Sequence, residues 1–184
     1  VSGVDPWLPR PCRITAVQRE LADTVTLVLD PGPGGLPFVP GQFTMLWRHG
    51  HGEVAISISG DPTRPDALVH TIRGVGSVTR PLQDARPGDV LGVRGPFGTG
   101  WPVDAARGGD LVVVAGGIGL APLRPVVYAA LADRDAFGRV VVLVGARQPD
   151  MVLYPQLLAE WAADPRLDVA VTVDQTAPGW DGPV

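Results

Sequence analysis

A chain of 184 residues with a net charge of −4 at pH 7, no basic run and no lysine among its 15 cationic residues is not built to hold nucleic acid. At 45% hydrophobic and 18% charged it describes a packed globule, so its 24 Gly and 20 Pro point to many tight turns rather than disorder. No apolar stretch approaches the roughly twenty residues that span a bilayer, and a single Cys12 excludes an internal disulfide. No membrane partner is expected, and with no leader peptide in view the expectation is a cytoplasmic protein. The chain opens on Val1 without Met and stops at Val184 after no closing element, which suggests that the polypeptide continues.

Taken in order, residues 1–11 are proline-rich and expected as an extended arm. Largely alternating apolar and polar residues over 13–20 and 24–30 read as half-buried antiparallel strands. The Gly/Pro loop PGPGGLPFVPG leads to a strand over 42–47, HGHG makes a turn, and strands follow over 53–59 and 67–73. A short helix is expected over 77–82, and PGD opens a last strand over 90–94. Six short strands at this spacing predict a small antiparallel β-barrel over 1–102. The pattern then changes to strand 110–115, helix 122–134, strand 140–144, helix 154–163 and strand 167–173. That alternation predicts a parallel-sheet α/β domain over 108–184, which would be incomplete, with right-handed crossovers. The boundary falls within 101–109.

Residues 110–125, DLVVVAGGIGLAPLRP, organise the second domain. Five apolar residues without alternation suggest a strand buried on both faces. Gly116, Gly117 and Gly119 follow, then Pro122, which suits a helix's first turn. Strand, glycine turn and helix start aim free N–H groups and a positive dipole end at one spot, where a Cβ would keep a pyrophosphate away. An ordinary tight turn would look the same. Gly117 and Gly119 stand where the dinucleotide fingerprint has its first two glycines, but Pro122 replaces the third and no ribose-binding acid follows about twenty residues on.

The barrel has a counterpart in GVGSVT, Gly74 to Thr79. Its glycines, Ser77 and Thr79 could offer N–H groups and hydroxyls to an anion, or could simply cap a helix. In VAISIS, Ser57 and Ser59 share one strand face and Ile56 and Ile58 the other, which could hold the polar edge of a flat ring or be plain alternation in a half-exposed strand.

Together with PGQF, PGDVLGVRGPFG and GAR at Gly145 to Arg147, these stretches resemble the ferredoxin–NADP reductase superfamily. Within it, HGEVAISISGDP, HTIRGVGSVTRPL, VRGPFGTGWP and AGGIGLAPLRPV are similar to the gamma (diaphorase-type) subunits of cytoplasmic nickel–iron hydrogenases and sulfhydrogenases. Anaerobic sulfite reductase subunits and the electron-transfer subunit of dihydroorotate dehydrogenase look more distant. The resemblance implies a flavin-binding barrel, a nicotinamide-nucleotide domain, FAD and NAD(P) as cofactors, and a flavin-dependent NAD(P)H oxidoreductase within a hetero-oligomer of iron–sulfur and hydrogenase-type subunits. The rival readings are an electron-transfer subunit of dihydroorotate dehydrogenase or of anaerobic sulfite reductase, and a non-catalytic flavin- or nucleotide-binding fragment.

By that resemblance Ala55, Ile56, Ser57 and Ile58 lie along the flavin, and Gly74, Val75, Gly76, Ser77, Val78 and Thr79 hold its pyrophosphate. Gly117, Ile118, Gly119, Leu120 and Pro122 form the nicotinamide-nucleotide turn, with Gly145, Ala146 and Arg147 beside the adenosine half. Arg147, a cation where NAD-specific sites commonly place an acid, tilts the expectation toward NADP(H). The chain departs from the family at Val54-Ala55-Ile56-Ser57, where the superfamily has Arg-x-Tyr-Ser, so flavin would rely more on backbone N–H groups. It also lacks the Cys-Gly-Pro segment and the cysteine cluster, so an iron–sulfur centre is expected only further along the polypeptide or in a partner. No nucleophile or acid–base array is evident, which suits hydride chemistry. His49, His51 and Glu53 sit in a hairpin with no fourth ligand in view, so no metal site is expected. Trp101 and Trp161 are read as packing residues, and His70 as structural or at the flavin edge.

Overall fold

The computed structural model describes residues 8–184. The first part of the expected arm lies outside the described residues, and by Arg10 the chain is already strand. Six strands make one antiparallel sheet: β1 (Arg10–Leu21), β2 (Thr24–Asp30), β3 (Phe43–Arg48), β4 (Gly52–Ser57), β5 (Leu68–Arg73) and β6 (Val90–Phe97), in the order β4-β3-β6-β1-β2-β5. Alternation sets the inward face: Cys12, Ile14, Val25, Leu27, Leu29, Leu46, Leu91 and Val93 are almost wholly buried in one core. Each such aliphatic side chain contributes roughly 1.5–3 kcal/mol. The sheet curls until its two edge strands meet at one end, where Ile58 bridges His70 and the Ser59 N–H donates to the Val69 carbonyl at 2.9 Å. Along 52–57 no strand among the described residues lies beside the outer edge of β4. The helix α1 (Thr79–Leu82) is a single turn, starting later than expected.

A second core lies under a three-stranded parallel sheet in the order β7-β8-β9: β7 (Leu111–Gly116), β8 (Val140–Ala146) and β9 (Asp168–Val173). The connecting helices are α2 (Leu120–Ala132) and α3 (Pro155–Ala163). α2 starts ahead of its expected Pro122 because Gly119 already has helical dihedrals. The expectation that 111–115 would be buried on both faces is wrong. Val113 and Ala115 are buried, whereas Val112 and Val114 are 56% and 66% exposed. Right-handed crossovers between consecutive neighbours put both helices on one face. There Val126, Val127, Leu158 and Trp161 share one core with Val113, Val142 and Val144. Trp161 packs edge-on against Tyr128, as a packing residue should, but Trp101 is half-exposed, lying over Gly41. Among the described residues no helix is long and apolar enough to cross a membrane.

Candidate functional site

The carboxyl ends of the three parallel strands face the turn between β1 and β2, and between them lies a cleft of about 840 Å³. Gly116, Gly117 and Ile118 line it after β7, Gly145 to Arg147 at the end of β8, and Asp174 after β9. In open α/β sheets this is where ligands bind. The opposite wall comes from the barrel: Leu21, Ala22, Asp23 and Thr24, with Arg73 at the end of β5.

The glycine turn leaves its groups unspent. Gly117 has φ +51°, a left-handed conformation that a Cβ would strain. Gly116 and Gly119 have dihedrals open to any residue, and nothing lies within 4 Å of where a Cβ would stand on any of the three. No side chain caps the 3₁₀ turn Gly117–Gly119 or the start of α2. The leading N–H groups and the positive end of the helix dipole are therefore offered to the cleft. Leu120 is buried in the core and the N–H groups that open α2 close onto the Gly117 and Ile118 carbonyls, so the free donors are those of the turn itself, while Pro122 falls in the first turn of α2.

The barrel loop is wired differently, against expectation. The Gly74 N–H donates to the Asp23 carbonyl at 2.8 Å. Those of Val75 and Gly76 donate to Thr79 Oγ1 at 3.1 and 2.8 Å. A Cβ on Gly74 would strike Gln83 at 2.7 Å, so this glycine answers an internal contact. Ser77 is exposed, and Val78 reaches toward the β3–β4 hairpin, 3.5 Å from where a Cβ on Gly52 would stand. The loop thus lies beside the start of β4, whose outer edge is open among the described residues.

Along that edge Ala55 is exposed, and Ile56 and Ser57 are half-buried. Ile58 is not available to a ligand: its side chain is in the core and its N–H donates to the Gln42 carbonyl at 3.0 Å. Ser59 is fully buried, its Oγ 3.1 Å from Thr71 Oγ1, so the predicted face shared by Ser57 and Ser59 does not exist. The strand ends at Ser57, and the chain turns inward beyond it.

His70 is structural. Its Nδ1 lies 3.0 Å from the Ser57 carbonyl, so Nδ1 carries the proton and Nε2 accepts from the Thr44 hydroxyl at 3.1 Å. Complete burial pushes its pKa down to about 4, opposed by the bond to Ser57. Glu53 is held by a two-point pair with Arg94 at 2.7 and 2.6 Å, a hydrogen bond that lowers its pKa. No group of metal-ligating side chains occurs among the described residues.

Arg147 is exposed at the end of β8, between the cleft and a neighbouring cavity of about 440 Å³. Among the described residues it pairs with no carboxylate, although Asp150 and Asp174 line the same cleft. Reading the sequence missed Asp174, Arg73 and the 21–24 turn. Asp174 follows a parallel strand and could have been found from that position alone. The barrel wall of the cleft is a tertiary juxtaposition with no local signal.

Residues 113–184 match the oxidoreductase NAD-binding domain family. Sulfhydrogenase 1 subunit gamma of Pyrococcus furiosus is 40% identical over 151 residues, 79% of this chain and 51% of the relative. A probable dihydroorotate dehydrogenase B (NAD(+)) electron transfer subunit of Methanopyrus kandleri is 41% identical over 119 residues, 65% of this chain and 43% of the relative. The chain spans about half the length of the curated relatives it matches. Phthalate dioxygenase reductase shares the fold, with a TM-score of 0.77 at 20% identity over 94% of this chain and 55% of that one.

Proposed function

Because the chain belongs to the ferredoxin-reductase-like NAD-binding oxidoreductases, we propose that it passes hydride between a nicotinamide nucleotide in the cleft and a flavin, FAD, on the barrel. The observation that carries this reading is the glycine turn: unspent N–H groups at the carboxyl ends of parallel strands, under space that the fold itself does not need. The flavin, when bound, supplies two-electron chemistry toward the nicotinamide and one-electron chemistry toward a partner.

The chain's own residues bind and orient. Gly116 to Gly119 receive the pyrophosphate at the positive end of the α2 dipole, with Gly145 and Ala146 under the adenosine half. Arg147 reads a 2′-phosphate, and the neighbouring Asp150 and Asp174 limit the preference for NADP(H) over NAD(H). On the barrel, Ala55, Ile56 and Ser57 line the flavin along the open edge of β4. Gly74 to Thr79 flank its phosphates through Ser77, Val78 and Thr79, since the N–H groups of Gly74, Val75 and Gly76 are occupied. The division into a flavin domain over 1–102 and a nucleotide domain over 108–184 follows from these assignments.

Electrons leave to an iron–sulfur partner subunit of a hydrogenase-type complex in the cytoplasm. The likeness to sulfhydrogenase subunit gamma supports that choice of partner. The test is reconstitution of the purified chain with FAD, followed by anaerobic addition of NADPH or NADH. The expected result is a bound flavin spectrum that bleaches with either nucleotide. A chain that ignores both FAD and FMN refutes the proposal, and one that binds both cofactors without bleaching is an inert binding fragment.

A further inference from the structure

Between the two sheets lies a buried polar cluster that the cofactor sites do not use. Arg124, on α2, is 9% exposed, and its Nε donates to the Ser59 carbonyl at 2.6 Å. The guanidinium lies 4.4 Å from the Tyr154 ring centroid and 5.8 Å from that of Tyr128. No carboxylate pairs with it among the described residues. A buried cation is costly unless matched, and here two aromatic faces and a carbonyl take the place of a counter-ion. Tyr154, the residue before α3, is 3% exposed and has φ +56°, a conformation that a bulky residue adopts only when its surroundings impose it. Its hydroxyl hydrogen-bonds Thr71 Oγ1, which lies 3.1 Å from Ser59 Oγ and 2.9 Å from Thr26 Oγ1.

Each member sits on an element that carries part of the proposed site. α2 grows out of the glycine turn, and Ser59 closely follows Ser57 on the flavin edge. Thr71 precedes Arg73 and the Gly74 loop on β5. Tyr154 ends the segment that begins at Arg147 and borders the cleft. We propose that Arg124 and Tyr154 are positioning residues: they clamp α2 and α3 to the barrel and thereby set the approach of the nicotinamide to the flavin. This inference rests on the reading of the two cofactor sites given above. A shift of about 1 Å in such an approach can slow a reaction roughly hundredfold without touching either binding site.

The test compares wild type with Arg124→Met, Arg124→Lys and Tyr154→Phe, each as the full chain reconstituted with FAD. Three quantities are measured: flavin affinity, NADPH affinity, and the single-turnover rate of flavin bleaching. The expected result is that both affinities stay within about threefold of wild type. Bleaching should slow tenfold or more in Arg124→Met and less in Tyr154→Phe, with part of the rate regained in Arg124→Lys. Unchanged bleaching in Arg124→Met and Tyr154→Phe overturns the clamp, as does a fall of both affinities in step with the rate, which would mark plain structural damage. If Arg124→Met does not fold, Tyr154→Phe carries the same comparison. If wild type itself does not bleach, the cofactor reading fails separately, and the clamp is then judged by calorimetry. Wild type should melt in one joint transition that Arg124→Met or Tyr154→Phe splits in two, and a transition left single and unmoved overturns it.

Discussion

Two glycine turns, Gly116 to Gly119 on the parallel sheet and Gly74 to Thr79 on the barrel, look alike as strings and differ as structures. In the first, nothing occupies the space above the glycines and no side chain caps the following helix. In the second, Thr79 takes the N–H groups of Val75 and Gly76, Asp23 takes that of Gly74, and Gln83 occupies the space beside Gly74. Glycine content therefore does not distinguish a ligand cradle from a self-contained turn, whereas the destination of each backbone N–H does. In the first turn only Gly117 is explained by its backbone conformation, and Gly116 and Gly119 have no contact to explain them; the second is largely explained by its own contacts.

The sharpest way to break this contrast is to fill the empty space. Gly116 has extended dihedrals and Gly119 helical ones, so valine fits the backbone at either position. Gly116→Val and Gly119→Val should leave the melting temperature within a few degrees of wild type. Nucleotide affinity should fall by roughly 3 kcal/mol, more than a hundredfold, with flavin still bound. A loss of fold would mean that the space is less free than it looks.

On the barrel side, polar groups are directed inward, and His70 on β5 tests this. Its pKa is about 4 when folded and near 6.5 when unfolded. Above about pH 6.5 both states are neutral and the burial costs nothing in protonation. As pH falls toward 4 the unfolded chain takes up the proton first, so stability is progressively lost, by about 3 kcal/mol in all. Urea melts from pH 7 to 4.5 should show this slope, and His70→Gln should flatten it. An equal slope in both proteins would assign it to other groups.

On the sheet side, Arg147→Ala should cost NADPH roughly 1.5–3 kcal/mol and leave NADH nearly unchanged, measured as binding constants at fixed salt. Parallel losses would show that Arg147 does not read the 2′-phosphate. The smallest effect belongs to Thr79. Thr79→Val removes the acceptor for two N–H groups and should lower stability by about 1–2 kcal/mol, a few degrees in melting temperature. A variant as stable as wild type would place those N–H groups among the free ones and erase the difference between the turns.

Much of this architecture was legible in local pattern. Period-two alternation located the first two barrel strands, Gly/Pro turns located the other four, and the switch to strands alternating with helices announced the parallel sheet, because these patterns follow from geometry within one element or one turn. What failed depended on neighbours. Val112 and Val114 read as buried because a valine run carries no mark of how many faces are covered. Ser59 read as a continuation of β4, although its environment is set by Thr71 on another strand. Arg73 and the 21–24 turn were invisible as site residues because only the meeting of the two sheets brings them to the cleft. Arg124, a cation in an otherwise apolar helix face, was the one local anomaly that could have flagged the seam.

The strand pairing also has a kinetic side. β1 pairs with β6, joining Arg10 to Val93, so the barrel ladder can close only after most of the intervening chain has been gathered. β7 pairs with β8 from Leu111 to Val140 across one helix, and β8 with β9 from Val141 to Asp168 across another. Loop-closure entropy rises with the length enclosed, and chains dominated by distant pairings fold more slowly. The parallel sheet, with its glycine turn already shaped, is therefore expected to form first and to serve as the surface on which the slower barrel edge at Ile58 and Ser59 comes to rest.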